Sequence, residues 1–219
     1  MDLSLTQRGY ALATLVVTFL GVAGPARSQL VEGEAACGPL QNAYGPFDYR
    51  YAARSQTYVV ERYHFTREIE LLSPAIGVGS LAADLDYTLR AIPNHHRALA
   101  ALSKLAARVQ RPRLPSANYP TDCYFDRAMR FAPDDAMTQL LFGLHLIRTG
   151  RSGLARPILD QAAASDLNDP NFHYNLGLAY LEIKEYDKAL QRAKTAYAMG
   201  WPLPGLRDRL KREGKWRDD

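Results

Sequence analysis

The sequence predicts an all-α fold: a row of helix-turn-helix units with an irregular segment in front and a capping helix behind. Residues 136–169 and 170–203 align without a gap at a period of 34, with Gly143 on Gly177, Leu144 on Leu178, Ala155 on Ala189 and Ala162 on Ala196. A fixed period of that length marks stacked structural units. Each window also holds two stretches with apolar residues at helical spacing, separated by a short turn. Finally, 47% apolar against 23% charged residues in a chain of 219 allows a buried core.

From the N-terminus, Arg8 precedes a continuous apolar run, Tyr10 to Gly24, and Ala26-Arg27-Ser28 offers a small-x-small cleavage pattern. The run is short for a helix crossing roughly 30 Å of hydrocarbon. Residues 1–28 are therefore expected to be a signal peptide cut after Ser28, with an uncleaved inner-membrane anchor as the alternative. Cleavage removes two arginines and one aspartate, so the net charge falls from +4 to +3. That balance is too weakly basic to argue for nucleic acid. Glu32 and Glu34 separate the apolar run from Cys37, which argues against lipidation there.

Residues 29–56 are turn-rich and aromatic, with neither helical nor strand period, and are expected to pack along the first helices. Residues 57–93 form a degenerate helical pair: VVERYHFTREIELL as one helix, then SLAADLDYTLRAIP with Leu81, Leu85 and Leu89 on one face. Residues 94–135 contain HHRALAALSKLAARV and TDCYFDRAMRFAPDD. The spacing from Pro93 to Pro133 is 40 rather than 34, and the extra length is the Pro-rich, basic loop QRPRLPSANYP. That loop is either plainly solvated or a contact for anionic polymers and lipid headgroups. After the two windows at 136–169 and 170–203, residues 204–219 supply an amphipathic cap and tail, with Leu206, Leu210 and Trp216 on one side.

The run YNLGLAYLEIKEYDKALQRAKTAYAMG resembles the tetratricopeptide repeat family, and the likeness extends over roughly residues 80–205. Small Gly177 and Ala189 would let the paired helices approach, with Leu176 and Tyr180 as bulk between them. The resemblance implies a right-handed superhelical array whose first helix in each pair faces a concave groove that binds a peptide segment or partner protein. In register, that groove would carry Arg97, Ala100, Lys104 and Arg108, then Met137, Leu140, Leu144 and Arg148, then Asn171, Tyr174, Leu178 and Glu182. Four cations over an apolar floor would suit an extended acidic peptide. The plain alternative is that these long side chains only solvate helix surfaces.

Cys37 and Cys123 are the only two cysteines, so one intramolecular pairing is possible, and export would permit it. In the chain-entropy account such a bridge stabilises by about 4–5 kcal/mol; two buried free thiols are the alternative. No CxxC spacing supports a zinc or redox site.

His95 and His96 are adjacent, so on a helix they point about 100° apart and cannot share an ion as an i, i+4 pair would. They are expected to open a helix after the Pro93 turn. His145, on a core-patterned helix, is expected to be a satisfied interface residue. Asp134, Asp135 and Asp169 stand where helices begin and suit capping. Gly77-Val78-Gly79-Ser80 lacks a phosphate-loop continuation. No catalytic motif, metal set or cofactor is expected. The resulting expectation is an exported, periplasmic interaction or scaffold module for a protein or peptide partner of an envelope assembly. The rival is a metal-dependent or hydrolytic envelope enzyme using His64, His95 and His96.

Overall fold

The structure, a computed structural model, describes residues 37–217. The expected signal segment and cleavage point lie outside the described residues. Ten helices and no strand make up the described residues: α1 (Arg54–His64), α2 (Arg67–Glu70), α3 (Val78–Ala91), α4 (His96–Val109), α5 (Thr121–Phe131), α6 (Ala136–Arg148), α7 (Ser152–Ala163), α8 (Pro170–Glu182), α9 (Tyr186–Ala198) and α10 (Gly205–Arg212).

The tightest helix pairs are α6 with α7 and α8 with α9, hairpins that occupy the two 34-residue windows. Their small residues admit neighbouring groups. A β-carbon at Gly143 would collide with Leu159 of α7. At Gly177 it would fall 2.6 Å from Leu206 Cδ2 and 3.3 Å from the Ala189 carbonyl oxygen, so both α9 and α10 close onto this spot. Ala155, Ala189, Ala162 and Ala196 are fully buried. Tyr180 is buried too, and its hydroxyl donates to Asp160 Oδ1 of α7 at 2.7 Å, linking one hairpin to the next. Besides pairing with its hairpin partner, α6 packs against both α4 and α8.

Helix starts are set by side-chain caps at equivalent turns. Asp135 accepts from Thr138 N at 3.2 Å and Asp169 from Asn171 N at 2.8 Å, each satisfying a free N-terminal amide. His95 takes the same place for α4, its Nδ1 accepting from Ala98 N at 3.2 Å.

The expected single helix VVERYHFTREIELL is a correction. It begins earlier, at Arg54, and breaks between His64 and Arg67. Phe65 leaves helical geometry at φ −134°, and its ring turns inward to lie 4.7 Å from that of His95. Burying the phenyl group against that ring favours the break over a continued helix.

The segment before α1 is bound to the helices. Cys37 and Cys123 form a disulfide. Arg127, only 1% exposed, donates to the carbonyls of Cys37 at 3.2 Å and Pro39 at 2.5 Å. Tyr44, Phe47 and Tyr49 pack on a small second core of Val60, Ala91 and Ile92. Gly45 has φ +89° and passes so close to the Ala91 carbonyl that a side chain would not fit. The 110–120 loop is anchored as well: Leu114 and Ala117 are buried, and Asn118 donates to both oxygens of Asp86. At the other end Leu206 and Leu210 are fully buried, while the Arg207 guanidinium lies 4.4 Å from the Tyr197 ring and 5.0 Å from that of Trp216.

Candidate functional site

Two polar assemblies stand out. The first is the turn from α3 to α4. Asn94, completely buried, donates to Asp48 Oδ1 and Asp135 Oδ2, each at 2.8 Å, and accepts from Tyr49 N at 2.9 Å. His96 Nε2 lies 2.8 Å from the same Asp135 oxygen. Burial pushes the Asp135 carboxyl up, but His96, Asn94 and Thr138 outweigh it and hold its pKa below the ordinary value. His95 is stacked on Tyr49 at 4.1 Å. Because its Nδ1 accepts the Ala98 amide, its Nε2 carries the proton and donates to Glu61 Oε1 at 3.1 Å. Burial lowers its pKa, with Glu61 opposing. His64 pairs separately, with Asp84 at 3.0 Å, and stacks on Tyr87. His64, His95 and His96 thus hold three different carboxylates. Among the described residues no group of three or more His, Cys, Asp or Glu side chains is placed to hold a metal ion.

The second assembly borders an open cleft of about 760 Å³ between the end of α4, the start of α5 and the end of α6. Asp122, in the first turn of α5, receives both Nη groups of Arg151, with Nη2 at 2.9 Å from Oδ1, and lies 3.0 Å from His145 Nε2. Burial pushes this carboxyl up, and Arg151 and His145 more than offset that, holding it far below the usual carboxylate range. His145 Nδ1 lies 3.2 Å from Ser103 Oγ, which also accepts from Arg148 Nη1 at 3.1 Å.

A serine, a histidine and an aspartate in sequence of contact suggest acyl chemistry, but burial runs the wrong way for it. Ser103 is 0% exposed and His145 1%, whereas the Asp122 side chain is 24% exposed. A nucleophile must meet a substrate carbon. Here the hydroxyl is sealed in the core and the carboxylate faces the cleft, so the chain Ser103–His145–Asp122–Arg151 joins α4, α5 and α6 rather than presenting a nucleophile.

No protein-family model, curated protein or solved structure matches this chain.

The residues expected to line a groove fall into different settings. Arg97 forms a two-pronged pair with Glu70, at 2.8 and 2.5 Å, and lies 3.8 Å from Glu61. Arg108 donates to the Leu72 carbonyl at 3.3 Å, toward the α2 side. Lys104 is exposed on α4 with no ion-pair partner among the described residues, and Arg148 lines the cleft. Met137, Leu144 and Leu178 are half-buried, as is Ala100. Leu140, at 1% exposure, and Tyr174, with its ring 5.1 Å from that of Trp201, belong to the core and support the helices. Asn171 is exposed and bonded to Asn175, and Glu182 pairs with Arg209.

Ser103, Asp122 and Arg151 are contributors that sequence reasoning missed. Their separations in the chain follow no helical or motif spacing. The one available signal was a histidine, His145, on an otherwise apolar helix face, whose ring needs polar partners when buried.

Proposed function

We propose that this chain is an exported, periplasmic interaction module of the tetratricopeptide type that holds a peptide segment or partner protein of an envelope assembly. The observation that carries this reading is the packing of α6 against both α4 and α8, which sets three first helices of successive pairs side by side. A face shared by the three would carry the half-buried Met137, Leu144 and Leu178, with the cleft-lining Arg148 and with Lys104, which has no ion-pair partner among the described residues. Arg97 would reach a ligand only by leaving Glu70. A half-buried apolar strip with flanking cations suits an extended acidic segment. The segment 37–53 is engaged with α1, α3 and α5 through the disulfide, Arg127 and the small second core, and with the starts of α4 and α6 through Tyr49 and Arg50.

Export is supported by the disulfide, which oxidising compartments favour. No helix among the described residues is long and apolar enough to cross a membrane. An anchor formed by an uncleaved residues 1–28 remains the alternative location, and the N-terminal residue of the protein recovered from the envelope separates the two, Gln29 being the expected start. For the groove, a double Met137→Glu, Lys104→Glu variant should lose roughly tenfold or more in capture of the partner retained by the wild type, with unchanged helicity. Undiminished capture would contradict the groove.

A further inference from the structure

The cleft between α4, α5 and α6 has properties that a peptide-binding strip does not require. Ala106, Ala107, Pro112 and Pro120 give it apolar walls. Its volume of about 760 Å³ lies in the range of pockets that enclose a small organic molecule. Three guanidiniums, from Arg111, Arg148 and Arg151, line it against a single carboxylate, Asp122. That carboxylate is already neutralised by Arg151 and hydrogen bonded to His145. Among the described residues Arg111 has no ion-pair partner, and Arg148 meets only the neutral hydroxyl of Ser103. Surrounding protein disfavours the charged form of Arg148, and no carboxylate offsets this. Thr121, at the N-terminus of α5 and 3% exposed, is among the residues bordering the same cleft; its hydroxyl is buried and has no hydrogen-bond partner among the described residues. Two planar guanidiniums without a carboxylate partner, beside a helix N-terminus, favour oxygen anions.

We propose that this cleft is a binding site for a small organic anion, an anionic oxygen headgroup on an apolar body, with Arg111 and Arg148 holding the headgroup and the alanine and proline walls the body. The site shares Arg148 with the edge of the proposed partner-binding strip, but Arg111 and the alanine and proline walls lie outside that strip, and the assignment stands whether or not the strip binds a peptide.

The test is calorimetric titration of the disulfide-bonded mature chain with hexanoate, hexyl phosphate, hexanol and inorganic phosphate. At least one of the two hexyl anions should bind, roughly tenfold or more tighter than both hexanol and inorganic phosphate. Which of the two binds tells a carboxylate from a phosphate headgroup. An Arg111→Gln, Arg148→Gln variant should weaken that binding about tenfold, and Lys211→Gln, at an exposed position on α10, should leave it unchanged. Arg111→Gln alone, at an exposed residue without an ion-pair partner, should show part of the loss in a chain whose folding is not in question. Binding of neither anion, hexanol or inorganic phosphate binding as well as the better anion, or full affinity in the double variant would each overturn the assignment.

Discussion

His95 shows how one residue can serve two structural tasks at once. It caps α4 through Nδ1 and pairs with Glu61 of α1 through Nε2, with Tyr49, Phe65 and Arg97 around it. Its pKa is lowered by burial from 6.5, so as pH falls the unfolded chain takes up the proton first. Stability contributed by neutral His95 is full above that value and declines as pH drops below it. His173, also lowered by desolvation, acts in the same direction. Urea midpoints at pH 8 and pH 5.5 should therefore differ for the wild type, and the difference should shrink in His95→Gln; an equal difference would contradict the assignment. Asp48, Asp122 and Asp135 have lowered pKa values and lose their contribution only below their ordinary 3.8, a separate window. For His145, replacement by Ala strips partners from Ser103 and Asp122, with an expected cost of about 1–3 kcal/mol in denaturant unfolding. The capping place of His95 could be read from the Pro93 turn. Its burial could not, because Tyr49 comes from a segment without a recognisable period and Phe65 from a degenerate helix read as unbroken.

The hairpins depend on where a side chain is absent. Gly143→Ala would gain up to about 1 kcal/mol of helix propensity but overpack the fully buried Leu159 by about 1–3 kcal/mol. It should lower the thermal midpoint. Gly153→Ala, in α7 with open space around it, should leave the midpoint unchanged or raise it. If both variants respond alike, close approach at Gly143 is not what holds α6 to α7. Gly143 and its counterpart Gly177 were visible in the sequence because a shared small residue at a fixed period has a steric meaning. The break at Phe65 was not, since a lone aromatic residue in a degenerate helix does not announce which way its ring turns. Leu140 was placed on an open stripe by counting one helix alone; flanking of α6 by both α4 and α8 is what buries it.

Across the whole molecule, the disulfide and Arg127 fasten a segment without regular structure to α5. Joining residues 86 apart, the bridge should contribute about 4–5 kcal/mol, so Cys37→Ser should unfold at a clearly lower urea concentration than the wild type. The pairing was readable because the chain has only two cysteines. Arg127 was not, because a buried arginine serving the carbonyls of Cys37 and Pro39 leaves no pattern in its own helix. The cleft was equally hidden, its walls coming from three helix ends that only the fold brings together. The central functional claim is that the face shared by α4, α6 and α8 holds a partner. Its most direct measurement is photo-crosslinking in living cells from a probe at Leu144, compared with one at the half-exposed Arg156 on α7. A discrete adduct from Leu144 and none from Arg156 is the predicted result; no adduct from Leu144, or the same adduct from both positions, would contradict it.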